Sequence, residues 1–295
     1  MYSNGAIQRR VQGNGYNLHD VISLSWKGCV LYWQEIRSTG LKTLLTKSSI
    51  GLICDFDGTL SPIVQDRERA QLAPGNRELL RQLQKHLRLV ALVSGRAVAD
   101  LSARVGLPGL IYIGNHGLER LVDGQIVCPP EVAAYRSAIK AVLNAIHLEK
   151  QMTLEDKNVT FAIHYRQAAD HEAIQTTYSP LLQSLADEHG LHFSQGRRVF
   201  ELRPPLEINK GTALASLVTQ YGLDGLVFIG DDITDADAMR TARQLREQQT
   251  CYSVNLAVES EEMPAILHDY ADAFAAGTSD VTAFLAWFLD ALSAS

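Results

Sequence analysis

Apolar residues along the chain fall into short unbroken runs separated by longer stretches of helical spacing. Gly51 to Cys54, Leu87 to Val93, Leu110 to Gly114, Leu226 to Ile229 and Tyr252 to Leu256 are runs of the kind that strands covered on both faces require. Between them, a helix opened by Pro74 and Asn76 and running to His86 carries Leu79, Leu80 and Leu83 on one face. Val98 to Val105, Lys210 to Tyr221 and Val281 to Leu292 read as further helices. Strands alternating with helices predict a parallel α/β sheet. A hairpin with Asp123-Gly124 as its turn follows the third strand. Ahead of the sheet, residues 1 to 16 are polar and Gly-rich, and the mixed apolar spacing from Leu18 to Leu45 fits one or two amphipathic helices.

Between Pro129 and Pro205 the pattern changes. Glu131 to His147 is helical, Met152 to Asp156 and Val159 to Tyr165 alternate, Asp170 to His189 is helical, and Leu191 to Ser194 and Arg198 to Leu202 alternate again. Strands with one covered and one open face are expected to be antiparallel. A separate lid domain inserted into the larger core is therefore expected. The 295 residues suit two domains, divided as a tail and helix over 1–47, core over 48–130, cap over 131–204 and core again over 205–295.

A formal net charge of -6 speaks against a nucleic-acid binder, which normally presents a basic face. A local cluster of Lys and Arg can still attract an anionic substrate. No apolar run is long enough to span a bilayer, and nothing resembles a secretory signal. Cys29, Cys54, Cys128 and Cys251 are scattered without a C-x-x-C pair, as in a reducing compartment. A cytoplasmic chain without membrane or nucleic-acid partners is expected.

Candidate chemistry gathers where the buried runs end. After Cys54 come Asp55 and Asp57, two residues apart and so facing the same way in extended chain, with Gly58 allowing a sharp turn behind them. After Ile229 come Asp231, Asp232 and Asp235, three carboxylates within five residues. Acids gathered in a crevice repel one another unless a cation lies between them. Carboxylates plus a backbone carbonyl suit Mg2+, which also accepts phosphate oxygens. Ser94 follows the Leu87–Val93 run, where a helix cap is the ordinary alternative, and Lys210 opens a helix. In the 129–205 stretch, Lys157, His164, Tyr165, Arg166, Arg197, Arg198, Glu201 and Arg203 are the polar side chains from which two or three ligand contacts are expected.

Asp55-Phe56-Asp57-Gly58-Thr59, Ser94, Lys210 and Gly230-Asp231-Asp232 with Asp235, in this order, resemble the four signatures of the haloacid dehalogenase superfamily. Within it, Ser61-Pro62-Ile63, Ser94-Gly95-Arg96, Gly114-Asn115-His116-Gly117-Leu118-Glu119, His164-Tyr165-Arg166, Glu201-Leu202-Arg203-Pro204 and Lys210-Gly211 are similar to the trehalose-6-phosphate phosphatase family. The likeness covers roughly residues 48 to 290. It implies a Rossmann-like core with an inserted α/β cap of the C2 type. It implies Asp55 as nucleophile, Asp57 as general acid and base, and Ser94 and Lys210 as holders of the phosphoryl oxygens. Mg2+ would be held by Asp55, the Asp57 carbonyl and Asp231, with Asp232 and Asp235 nearby. Lys157, His164, Arg166 and Glu201 are the implied sugar-binding residues.

The function implied is Mg2+-dependent release of trehalose and inorganic phosphate from trehalose 6-phosphate through an aspartyl-phosphate. It would be the last step of trehalose biosynthesis, with a functional link to a trehalose-6-phosphate synthase. The alternatives are the same chemistry on a sucrose-, mannosylglycerate- or hexose-phosphate, and a non-catalytic sugar-phosphate sensor. Ala236 departs from the family, which often has an acid there.

Overall fold

The computed structural model describes residues 30–64, 66–196 and 198–294. The expectations for the tail, for the helical stretch before residue 30 and for Arg197 lie outside the described residues. In chain order come α1 (Gly40–Leu45), β1 (Ile50–Cys54), α2 (Asn76–Leu83), β2 (Leu89–Val93), α3 (Val98–Val105), β3 (Ile111–Gly114), β4 (Glu119–Val122) and β5 (Gln125–Val127). Then follow α4 (Pro130–Ala133), α5 (Arg136–Ala145), β6 (Thr153–Asp156), β7 (Phe161–His164), α6 (His171–His189), β8 (His192–Gly196) and β9 (Val199–Arg203). The chain closes with α7 (Lys210–Tyr221), β10 (Gly225–Gly230), α8 (Asp235–Glu247), β11 (Tyr252–Val258), α9 (Leu267–Tyr270), β12 (Ala273–Ala275) and α10 (Thr278–Ser293).

The buried runs assemble, among the described residues, into an eight-stranded sheet of order β12-β11-β10-β1-β2-β3-β4-β5. It is parallel from β12 to β3, and the hairpin β4–β5 extends it antiparallel. Every residue of β1, β2 and β10 is buried, because helices cover both faces. One face packs Leu52, Val90 and Val227 against Phe284 and Phe288 of α10, and the other packs Ile53, Leu226 and Phe228 against Leu214 and Met239 of α7 and α8. The order reverses at β1, whose neighbours β2 and β10 come from opposite ends of the chain. Ligands bind at such reversals, beyond the carboxyl ends of the strands.

The expected antiparallel strands form a separate four-stranded sheet, β6-β7-β9-β8. Alternation sends Phe161, Ile163, Phe200 and Leu202 toward α5 and α6, while Glu155, Ala162, His164, Glu201 and Arg203 line the opposite side. Tyr165 belongs to the apolar side, stacked on Phe200 with ring centroids 4.6 Å apart.

Two expectations differ. The helix expected over 131–147 is broken into α4 and α5, since Val132 is buried with Leu118 and Val159, whereas Ile139 and Val142 enter the core of the four-stranded sheet. Tyr32 forms a bridge to Phe274, and the chain from Trp33 to Thr39 is turn rather than helix. Trp33 N–H donates to the Phe274 carbonyl at 3.0 Å and Phe274 N–H to Leu31 at 2.8 Å, so pairing with β12 overrides helical spacing there.

Candidate active site

Three adjacent strands bring the two acidic turns and Ser94 to one edge. In register, Cys54 lies beside Ile229 on one side and Leu92 on the other, so the turns after β1, β10 and β2 leave the sheet side by side. Asp55 N–H continues the ladder to the Ile229 carbonyl at 2.9 Å. Gly58 has φ +75°, and a Cβ there would collide with the Asp231 carboxylate; one at Gly230 would collide with Asp235. Each turn needs its glycine because a carboxylate fills the space beside it.

Lys210 is the first residue of α7, where Asn209 and Thr212 form a reciprocal cap that fixes the helix start. From there its ammonium, buried among the carboxylates, reaches Asp55 Oδ2 at 3.1 Å and Asp235 Oδ1 at 2.8 Å. Burial opposes its charge, yet Asp235 and Asp55 together hold it well above the usual lysine range. Asp235 Oδ2 accepts the N–H groups of Asp231 and Asp232 at 3.0 and 2.9 Å, tying the second acidic turn together.

The carboxylate oxygens of Asp55, Asp231 and Asp235 come within 4.8 Å of one another, all three residues buried. Burial pushes the Asp55 carboxyl up to about 7 despite Lys210, and burial with the charges of Asp55 and Asp235 raises Asp231. Asp55 Oδ1 is buried and finds no hydrogen-bond partner among the described residues. Three buried carboxylates against one ammonium leave negative charge uncompensated, which is the condition a metal ion relieves. The residues present therefore fit a hard cation. Asp232 is exposed and its carboxylate accepts from Ile233 N–H at 2.7 Å, outside that trio. Asp57 directs its carboxylate to Arg96 rather than to the trio.

Ser94 is buried and is not a helix cap. The residue preceding α3 is Ala97, and Val98 N–H is instead taken by the buried Glu119 carboxylate at 2.5 Å. Glu119, counted among the family-like residues, thus supports α3. Ser94 Oγ accepts the Arg96 N–H at 3.3 Å and lines the cavity.

That cavity, about 680 Å³, separates the two sheets. Asp55, Asp57, Ser94, Lys210, Asp231 and Asp232 line one wall; Lys157, His164, Arg166 and Glu201 line the other. Lys157 is buried and donates to the Gly95 carbonyl at 2.8 Å and Glu201 Oε1 at 3.3 Å, joining the walls. Burial works against the charge of Glu201, but Lys157 beside it holds its carboxyl below the usual range. His164 meets Arg67 at 2.9 Å and Glu155 at 3.1 Å, and burial with the Arg67 charge pushes it down to about 4. Arg166 is exposed at the rim. The sequence left Arg67, Glu155 and Arg96 without roles; only Arg96, beside Ser94-Gly95, carried a signal. His116, with φ +58°, has its ring against Gly95 and 3.8 Å from Glu201, and burial pushes it down to about 4.

A parallel sheet whose central strands deliver acids, a serine and a lysine to one crevice, faced by a second sheet, is the haloacid dehalogenase type of α/β architecture. The model of the family described as trehalose-phosphatase matches residues 53–269. The chain belongs to the trehalose-phosphatase family. A trehalose-phosphate phosphatase of Mycobacterium bovis is 35% identical over 215 residues, covering 69% of this chain and 54% of the relative. The chain thus spans about half the length of the curated relatives it matches. Among solved structures, the C-terminal domain of Candida albicans trehalose-6-phosphate phosphatase superposes with TM-score 0.69 at 20% identity, over 89% of this chain and 99% of that one. The C-terminal domain of the Candida albicans trehalose synthase regulatory protein has the same fold, with TM-score 0.62 at 13% identity over 88% and 99%. No helix among the described residues is long and apolar enough to cross a membrane.

Proposed function

We propose that this chain is a Mg2+-dependent phosphatase that converts trehalose 6-phosphate to trehalose and inorganic phosphate. The observation that carries this reading is the Oδ1 of Asp55, without a hydrogen-bond partner among the described residues and held beside Lys210 on a cavity whose far wall is polar. Asp55 attacks phosphorus in line, forming an aspartyl-phosphate as the bond from phosphorus to the sugar oxygen breaks. Asp57 gives that oxygen a proton, then takes one from the water that splits the aspartyl-phosphate. Ser94 and Lys210 hold the phosphoryl oxygens. Asp55, Asp231 and the Asp57 carbonyl would hold Mg2+, with Asp232 and Asp235 nearby; such an ion would offset charge as nucleophile and phosphate approach.

Residues 131–204 act as the cap that selects the sugar, through Lys157, His164, Arg166 and Glu201. Hydroxyl-rich substrates need such polar pairs rather than an apolar slot. The complete set of reacting groups favours an enzyme over a sensor. Free Cys54, Cys128 and Cys251 accord with a cytoplasmic site, and a trehalose-6-phosphate synthase would supply the substrate. The test is phosphate release from a panel of sugar phosphates, with and without Mg2+. Preference for trehalose 6-phosphate that disappears on chelation is expected; equal rates across the panel would reject the sugar assignment.

A further inference from the structure

Asp57, proposed above to serve the leaving group, has both oxygens engaged. Arg96 Nε donates to its Oδ2 and Arg96 Nη2 to its Oδ1, each at 2.7 Å. Such a planar fork fixes the plane of a carboxylate as well as its place, which a single ammonium cannot do. The fork is itself immobilised. Arg96 is 2% exposed, its Nη1 donates to Asp100 Oδ2 at 2.7 Å, and its guanidinium lies 5.5 Å from the Phe56 ring centroid. Asp100 is further held by Arg104 Nε at 2.8 Å.

The same guanidinium reaches toward the second sheet. Arg96 Nη2 donates to the Arg67 carbonyl at 2.9 Å, and the Arg67 side chain meets Glu155 of β6 and His164 of β7. Lys157, just after β6, bonds the carbonyl of Gly95, the residue before Arg96. Two contacts from the sugar-facing sheet thus converge on the turn that carries the fork.

We propose that Arg96 is a positioning residue, which aims the Asp57 carboxylate at the leaving oxygen and is itself seated by the four-stranded sheet through Arg67. The inference rests on Asp57 being the acid for the leaving group. It connects occupation of the sugar wall to the orientation of that acid, so a seated sugar and an aimed Asp57 go together.

The test compares a poor and a good leaving group in the full chain with Mg2+, trehalose 6-phosphate against p-nitrophenyl phosphate. It uses kcat/KM, which counts only steps through departure of the leaving group. A nitrophenolate leaves without a proton, so a misaimed acid matters little to it. Asp57→Asn calibrates the effect. Arg96→Gln is expected to lower kcat/KM on the sugar phosphate about a hundredfold, with at least a tenfold smaller loss on the nitrophenyl ester. Arg67→Met, which keeps the backbone carbonyl but removes the bridge to β6 and β7, is expected to show the same selectivity at about a tenth of the size. Where Arg96→Gln does not fold, Arg96→Lys keeps the charge without the fork and is expected to show the selective loss. Equal losses on both substrates, or no loss on either, would overturn the proposal while a selective Asp57→Asn leaves the acid assignment standing. An unselective Asp57→Asn would overturn the acid assignment and this inference together.

Discussion

The two sheets place chemistry in opposite ways. In the eight-stranded sheet the central strands β1, β2 and β10 are apolar throughout, and the acids of the site, Ser94 and Lys210 appear only where those strands end or α7 begins. In the four-stranded sheet the polar groups stand within the strands. Glu155 pairs across to Ala162 and Ala162 to Glu201, so two carboxylates flank a small residue on one open face. A buried sheet cannot host charge along its length, because each ion would lose its hydration without a partner. A half-covered sheet can, at every second residue. The first arrangement concentrates field on one group, while the second spreads contacts over an area, as the proposed phosphoryl transfer and sugar recognition would respectively require.

The comparison breaks most sharply at Asp55. Asp55→Asn is expected to lower turnover by at least about a thousandfold and, in metal-free buffer, to raise the melting temperature by a few degrees, because a strained buried carboxylate is removed. A calorimetric scan with a turnover assay checks both; an active variant would end the nucleophile assignment. Next comes the cation. Added Mg2+ is expected to raise the melting temperature of the parent chain, by an amount that grows with the logarithm of its concentration above Kd, and Asp231→Asn to abolish that rise, while Glu201→Gln on the other wall leaves it intact.

The far wall should fail differently. Glu201→Gln is expected to raise KM for the sugar phosphate about tenfold with a smaller change in kcat, since one charge-assisted contact is weakened. If kcat falls and KM holds, the cap contributes to the reaction rather than to selection. The smallest effect concerns His116, pushed down to about 4 from 6.5 by burial. Its unfolded form binds a proton that the folded form refuses, so its contribution to stability is lost as pH falls from about 6.5 to about 4. Asn tolerates the positive φ of that position. The difference in melting temperature between His116→Asn and the parent should therefore move in favour of the variant across that window.

The sequence disclosed the eight-stranded sheet more fully than the four-stranded one. Runs such as Leu226–Ile229 could only be buried strands, and a glycine beside paired acids marked the turns. Gly58 and Gly230 are required by carboxylates of the second turn, which explains why the motif reads as it does. Other features had no local mark. Glu119 read as part of a family-like string, yet it holds the start of α3 from 21 residues away. Ala236, where the family often has an acid, lies on α8 and is buried in the apolar cluster that α8 shares with α7 and the sheet. Arg67 and Glu155 meet across 88 residues of chain, which no spacing rule could anticipate.

What the residues alone determined is which candidate groups end the buried strands and the edge at which they emerge, because burial of a strand and the turn that ends it are local matters of hydration and backbone freedom. Only the tertiary structure decided how those groups are partnered: that Lys210 stands between Asp55 and Asp235, that Ser94 is no cap, and that Asp57 is gripped by Arg96. Charge in a buried site is set by what the fold brings within about 3 to 4 Å, and that distance is not written in the order of the chain.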